Sequence, residues 1–211
     1  MITRLKNFLD ERNLFIVSGS SGAGKSTLCD FAVENIENLM YSISYTTRPK
    51  KKDEEEGIHY FFVADGRFDE LLKQNIFLEW AYVYSYRYGT GIDRLCNLMA
   101  QGKDVITDLD TQGALNLKST LPQATLIFIL PPSVDALKKR LMERNRESIA
   151  EIEQRFQKAL SEIQEMYKYD YVILNDDLSR AQDELKSIII ASRCKKDKVV
   201  KKYSKDFKLV R

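Results

Sequence analysis

The sequence predicts an α/β fold: a parallel sheet with helices on both faces and a small mixed lobe inserted between two of its βα units. Three observations carry that expectation. Short apolar or β-branched runs alternate with segments of helical spacing along most of the 211 residues, the rhythm of parallel strands joined by crossover helices. The turn after the first such run, Gly19-Ser20-Ser21-Gly22-Ala23-Gly24-Lys25-Ser26, fits G-x-x-x-x-G-K-[ST]. Residues 41–91 interrupt the rhythm with short, aromatic-rich runs.

In chain order, Leu14-Phe15-Ile16-Val17 reads as a buried strand, and Leu28, Phe31, Ala32, Ile36 and Leu39 recur at helical spacing after the glycine-rich turn. Strand, glycine-rich turn and helix are the setting of a phosphate-binding P-loop. Glycines let successive N–H groups turn inward as a nest for phosphate oxygens, and the helix adds the positive end of its dipole. Lys25 is expected to reach the β- and γ-phosphates, and the Ser26 hydroxyl to ligate Mg²⁺. Gly19 to Ser26, with Thr27 in the first helical turn, form the expected triphosphate site.

The inserted lobe, residues 41–91, opens with a strand over Tyr41 to Thr47, stopped by Arg48-Pro49. A charged loop from Lys50 to Gly57 follows, then a strand from His59 to Val63 and a short helix around Phe68, Leu71 and Leu72. Ile76 to Val83 reads as another strand, and Tyr86 to Gly91 as a turn. The core rhythm resumes with a helix over Ile92 to Ala100, a strand over Asp104 to Leu109 and a helix over Thr111 to Leu117. Leu126 to Leu130 is a strand ended by Pro131-Pro132, and Val134 to Glu143 a helix. Arg144-Asn145-Arg146 breaks that helix. Ser148 with Glu151 reads as a capping box opening a long helix with Ile152, Phe156, Ala159, Leu160, Ile163 and Met166 on its apolar side. Tyr171 to Leu174 is the last strand, and Asp177 caps a final core helix. Residues 1–40 and 92–192 thus make the core. Residues 193–211, rich in lysine, read as a solvated basic tail.

Composition narrows the class. A hydrophobic content of 44%, charged content of 30% and net charge of +2 describe an ordinary globular protein, with no charge excess pointing to nucleic acid or membrane. Cys29, Cys96 and Cys194 form no CxxC pair, so free thiols in a reducing compartment are expected. The single histidine, His59, argues against a histidine-rich metal site. Met1 to Arg12 carries too many charges for a secretory h-region, so a cytoplasmic location is expected.

Asp104 to Asp110 alternates apolar residues and ends in two carboxylates, Asp108 and Asp110, which alternation places on one face. An acid at a strand end beside a P-loop helps hold Mg²⁺ or its waters, and Asp108 takes that part.

Beyond the P-loop, one series of motifs runs in order from about Phe15 to Ser192. Ser44-Tyr45-Thr46-Thr47-Arg48 comes first, followed by Glu54, Gly57 and Tyr60-Phe61-Phe62. Phe77-Leu78-Glu79-Trp80, Tyr88-Gly89-Thr90 and Asp108 to Gly113 come next, and Pro131-Pro132-Ser133 and Val172 to Asp177 close the series. In these the chain resembles the guanylate kinases, P-loop nucleoside monophosphate kinases that transfer the γ-phosphoryl group of ATP to GMP. The resemblance implies that residues 41–91 hold GMP. Guanine offers N1–H and N2–H₂ donors and an O6 acceptor, so Glu79 would accept from the donors and Thr90 donate to O6, with Ser44 and Asp110 completing the edge. Arg48, Lys51, Tyr60 and Tyr88 would clamp the GMP phosphate. The family usually has arginine at position 51 and serine at position 90. Lys51 keeps the charge but lacks the guanidinium fork, and Lys50 or Lys52 could take its place.

The same resemblance implies that residues 140–156 form a helical lid whose arginines Arg144 and Arg155 stabilise the transferring group, so Lys25, Arg48, Arg144 and Arg155 form the expected catalytic set. Asn175 falls near the adenine. The expectation is therefore an ATP:GMP phosphotransferase, also taking dGMP, in purine nucleotide metabolism, working with Mg²⁺ as monomer or homodimer. Two alternatives keep the same motifs: a scaffold module that binds phosphopeptides in this lobe, and a P-loop kinase for another monophosphate. Trp80 is expected to pack in the core beside Glu79.

Overall fold

The computed structural model describes residues 1–83, 85–143 and 149–203. Helix α1 (Ile2–Leu9) leads into β1 (Leu14–Ser18), the P-loop and α2 (Lys25–Asn35). Strand β2 (Leu39–Tyr41) is followed by the lobe elements β3 (Tyr45–Thr46), β4 (Phe61–Phe62), α3 (Asp65–Lys73), β5 (Phe77–Val83) and β6 (Tyr86–Gly91). The core continues through α4 (Ile92–Ala100), β7 (Asp104–Asp108), α5 (Thr111–Thr120), β8 (Thr125–Leu130), α6 (Val134–Glu143) and α7 (Ile149–Gln164). It closes with β9 (Tyr171–Leu174), α8 (Leu178–Arg193) and α9 (Lys196–Tyr203).

The main sheet has the order β2-β7-β1-β8-β9 with every pair parallel. Its central strand shows why a run such as Leu14-Phe15-Ile16-Val17 must be continuously apolar. Leu14 and Ile16 face the layer containing α1, α4 and α5, while Phe15 and Val17 face α2 and α8. Helices on both faces leave no strand position for water. Burying one such side chain contributes roughly 1.5–3 kcal/mol, so these two layers hold the P-loop's anchoring strand. A third apolar cluster, Leu137, Leu141, Phe156 and Ala159, packs α6 against α7.

The lobe is a four-stranded mixed sheet, β4-β3-β6-β5. Several boundaries differ from the sequence reading. Leu39 is not on the P-loop helix: α2 stops at Asn35, and Leu39 to Tyr41 pair with β7 in the main sheet. Asn38, at φ 60°, makes that short connection. The lobe therefore begins after Tyr41. Tyr86 to Gly91 is a strand, not a turn, because its residues pair antiparallel with both β3 and β5. Trp80 is 39% exposed on the outer face of β5, edge-on to Phe68 and Tyr82, so it is not in the core. Period-two alternation explains this: Glu79 points inward and Trp80 outward.

The basic tail is largely exposed, as expected, but over Lys196–Tyr203 it is helical and tethered; residues 204–211 lie outside the described residues. After α8, helix α9 packs back on α1, with Lys198 Nζ donating to the carbonyls of Leu9 and Arg12 and Lys201 paired with Asp10. These contacts satisfy carbonyls at the C-terminal end of α1, where positive charge is favoured. Ser148, and with it the expected capping box, lies outside the described residues, as do Arg144, Asn145 and Arg146.

Candidate active site

The P-loop wraps the end of β1, and its shape depends on close approaches. Gly24 has φ 98°, and a Cβ there would lie 2.3 Å from Asn175 Nδ2. Asn175, buried after β9, in turn donates to the Ala23 carbonyl at 2.7 Å. A side chain at 24 would meet both a left-handed backbone and a buried, hydrogen-bonded neighbour. Lys25 Nζ donates to the carbonyls of Gly19 (2.7 Å) and Ser20 (3.1 Å), which draws the ammonium across the loop. Burial pushes its pKa down, offset in part by Asp108, Glu162 and Asp110.

A cleft of about 250 Å³ runs from this loop to the inserted lobe. The loop side presents Gly19, Ser21, Gly22, Gly24, Lys25 and Ser26; the lobe side presents Ser44, Tyr60, Glu79 and Tyr88. Asp108 and Asp110 form the floor between them. They are not on one strand, as alternation suggested. The strand ends at Asp108, and Asp110 is the N-cap of α5, accepting the Gly113 N–H at 2.8 Å. Tyr41, from β2, donates its hydroxyl to Asp108 Oδ1. A second hollow on the far side of the loop is lined by Gly22, Gly24, Thr27, Arg140, Asn175 and Asp176, so Ala23 and Ser20 are backed by protein while Thr27 opens to this side.

Glu79 and Thr90 face each other across β5 and β6, and Thr90 Oγ1 donates to Glu79 Oε1 at 2.6 Å. Both side chains are buried. Burial raises the Glu79 pKa to about 7, against the hydrogen bonds from Thr90, and the Asp110 charge adds to the rise. Gly113 makes this junction possible: a Cβ there would lie 2.8 Å from Glu79 Oε2 and 3.0 Å from Asp110 Oδ1. Burial likewise raises Asp110, offset by the Gly113 N–H, Lys158 and Lys25.

Arg48 stands at the lobe end. Its guanidinium is held by both Glu54 oxygens, at 2.9 and 2.6 Å, and its Nε donates to the Tyr88 hydroxyl at 3.2 Å. The Tyr60 and Phe62 rings flank it at 5.4 and 5.7 Å. Burial opposes the charge, but the bonds with Glu54 and Tyr88 outweigh it and raise the Arg48 pKa. Lys51 does not join this group. Its side chain is exposed, and only its backbone N–H turns inward, donating to Glu54 Oε2 at 2.8 Å. The chain needs that N–H to fix Glu54, which orients residue 51 outward.

The lid contributes Arg155, whose Nη2 donates to Ser21 Oγ at 2.9 Å; Arg144 is outside the described residues. Sequence reasoning overlooked Lys158 and Glu162, which line the cleft from α7. A signal existed. Arg155, Lys158 and Glu162 recur at i, i+3 and i+7, a polar stripe beside the apolar one that packs on α6. It also gave no role to Tyr41, whose contact with Asp108 depends on a distant segment.

Comparison with known proteins agrees with this arrangement. The family model described as guanylate kinase matches residues 11–192. The chain is 42% identical over 185 residues to the guanylate kinase of Caldanaerobacter subterraneus subsp. tengcongensis, covering 88% of this chain and 90% of that one. To the guanylate kinase of Neisseria meningitidis serogroup B it is 44% identical over 186 residues, covering 88% and 91%. The crystal structure of guanylate kinase from Anaplasma phagocytophilum superposes with a TM-score of 0.76 at 26% identity, over 95% of this chain and 98% of that one. Matched in sequence over nearly the whole core and in fold over both lobes, the chain belongs to the guanylate kinase family.

Proposed function

We propose that this protein transfers the γ-phosphoryl group of ATP to GMP, giving ADP and GDP, and accepts dGMP as well. The observation that carries the reading is a single cleft with two chemistries. Phosphate-binding backbone and Lys25 form one wall, and a buried carboxylate–hydroxyl pair matched to guanine forms the other. Adenine presents an acceptor where guanine presents N1–H, so Glu79 disfavours AMP.

Each residue has a part that follows from its surroundings. The P-loop N–H groups and Lys25 hold the β- and γ-phosphates of ATP, with Asn175 and Thr27 on the nucleoside side. Ser44, Glu79, Thr90 and Asp110 orient guanine. Arg48, Tyr60 and Tyr88 converge where the GMP phosphate enters, and Glu54 holds the guanidinium ready. Lys51 contributes at longer range, from outside the cleft. The GMP phosphate oxygen attacks the γ-phosphorus in line, the bond to the ADP oxygen breaks, and Arg155 with Arg144 stabilises the spread charge. Among the described residues no group of three or more His, Cys, Asp or Glu side chains forms a metal cage. The Ser26 hydroxyl and Asp108 carboxylate supply hard oxygen ligands on the cleft, which fits Mg²⁺ that keeps waters and shares phosphate oxygens. Bound there, Mg²⁺ would neutralise charge on the β- and γ-phosphates.

No helix among the described residues is long and apolar enough to cross a membrane. The free thiols of Cys29, Cys96 and Cys194 support placing the protein in the cytoplasm. The functional test is ADP formation with GMP, dGMP, AMP, CMP and UMP as acceptors. GMP and dGMP should turn over and AMP should not. Turnover of AMP but not GMP would overturn the assignment of Glu79, and nucleotide binding without turnover would favour a binding module.

A further inference from the structure

The cleft is oddly acidic for a place that receives two nucleotides. Glu79, Asp108, Asp110 and Glu162 all line it, and among the described residues on its lining the cations are Lys25 and Lys158. Arg48 is closed onto Glu54, and Lys51 lies outside. We propose that Lys158 is a catalytic residue that contacts the phosphate oxygens at the junction of donor and acceptor, and that Glu162 is its positioning residue. The proposal rests on the phosphotransferase reading and extends it to two residues of α7.

The geometry comes from the helix. Lys158 and Glu162 are one turn apart, so their side chains share a face, and their charged atoms stand 3.8 Å apart. That is an ionic contact longer than a hydrogen bond, which a small swing of the flexible lysine stem exchanges for a phosphate oxygen. Glu162 is the more enclosed of the two, with its side chain 12% exposed against 35% for Lys158. A carboxylate held that far from water needs a cation beside it. One turn earlier on the same helix, Arg155 reaches Ser21 of the P-loop, so this stripe of α7 already lies over the phosphate site. The packing of Phe156 and Ala159 on α6 fixes the stripe's direction.

The charge balance points the same way. Burial pushes Glu162 above its ordinary value, and Lys158 is the foremost charge offsetting that rise, ahead of Lys25. Lys158 therefore places a positive charge beside a cleft carboxylate that would otherwise repel an incoming polyphosphate. In the transition state, where negative charge spreads over the transferring group, the same ammonium is worth more than in the ground state.

The test is steady-state kinetics on the full chain with Lys158→Met, Lys158→Arg, Glu162→Gln and the Lys158→Met/Glu162→Gln double variant, alongside thermal melts. Lys158→Met should lower kcat about 10–100-fold with KM for ATP changed less than about threefold, and any melting temperature lost by leaving Glu162 unpaired should return in the double variant while kcat stays low. Lys158→Arg should restore most of the rate. Glu162→Gln should lose about 3–10-fold, and the double variant should be no slower than Lys158→Met alone, as expected if Glu162 acts through Lys158. If Lys158→Met keeps wild-type kcat, or loses it together with stability and without rescue by arginine, the proposal is overturned. A wild-type protein that turns over no GMP would instead sink the functional reading itself, and the proposal with it.

Discussion

Glu79→Gln separates the guanine contact from its structural cost. The carboxylate is 8% exposed, and burial raises its pKa to about 7 from an ordinary 4.5. Below the ordinary value the group is protonated in both folded and unfolded chains and costs nothing. Between pH 4.5 and about 7 the unfolded chain ionises first, so stability falls as pH rises, and above 7 the penalty is constant. That penalty is on the order of 3 kcal/mol, at about 1.4 kcal/mol per pH unit. Glutamine does not ionise and keeps an acceptor oxygen for Thr90. The variant should therefore melt about 6–12 °C above wild type at pH 8, at roughly 2–4 °C per kcal/mol for a chain of this size, and no higher at pH 4.5. Catalysis should move the opposite way. Guanine needs two acceptors, and glutamine offers one oxygen and a clashing NH₂. Losing charge-assisted hydrogen bonds worth about 1.5–3 kcal/mol each predicts a roughly 10²–10³-fold fall in kcat/KM for GMP. GMP selects the ionised carboxylate, so wild-type kcat/KM should rise through about pH 7 and the variant should lack that limb. Coupled ADP-formation kinetics from pH 5.5 to 9, with melts in the same buffers, measure both. A variant that keeps GMP kcat/KM within about threefold would refute the guanine contact, and one that melts below wild type at pH 8 would refute the buried-charge reasoning.

Two further perturbations probe the frame around the cleft. Gly24→Ala places a Cβ 2.3 Å from Asn175 Nδ2 on a backbone at φ 98°, so kcat/KM for ATP should fall at least about 100-fold, and ADP should no longer raise the melting temperature. Lys198→Met removes the donor to Leu9 and Arg12. It should lower the melting temperature by about 2–4 °C and leave kcat intact, which melts and GMP kinetics together would show. Burial pushes the Lys198 pKa down to about 8, so the protonated amine is penalised below that pH. Wild type should therefore gain on the variant as pH rises from 8 toward 10, and a constant gap would refute the buried position of the amine.

Much of this protein is legible in the order of its residues, because the relevant contacts are local. The P-loop motif contains its own turn, its own nest and the start of its own helix. Continuous apolar runs such as Leu14 to Val17 announce strands covered on both sides, and the bounds of α4, α6 and β9 follow from periodicity alone. Glu79 and Thr90 are legible as an acceptor and a hydroxyl because their neighbours spell a known pattern.

What only the tertiary structure decides are the pairings between distant segments. Periodicity tells which face of an element is buried, not which residue meets it there. Gly113, on α5, is what lets Glu79 and Asp110 share one corner; the motif from Asp108 to Gly113 contains it, but the approach of Glu79 from β5 is not written there. Glu54 turns Arg48 inward and Lys51 outward through two different hydrogen-bonded atoms, which charge counting along the loop could not distinguish. The start of the lysine-rich C-terminal segment has few apolar residues and stays largely exposed, yet Lys198 tethers it by giving its ammonium to carbonyls at the end of α1. The P-loop names the donor site from sequence alone; the company that Glu79, Lys158 and Glu162 keep in the cleft depends on where the sheet, lobe and lid bring them together.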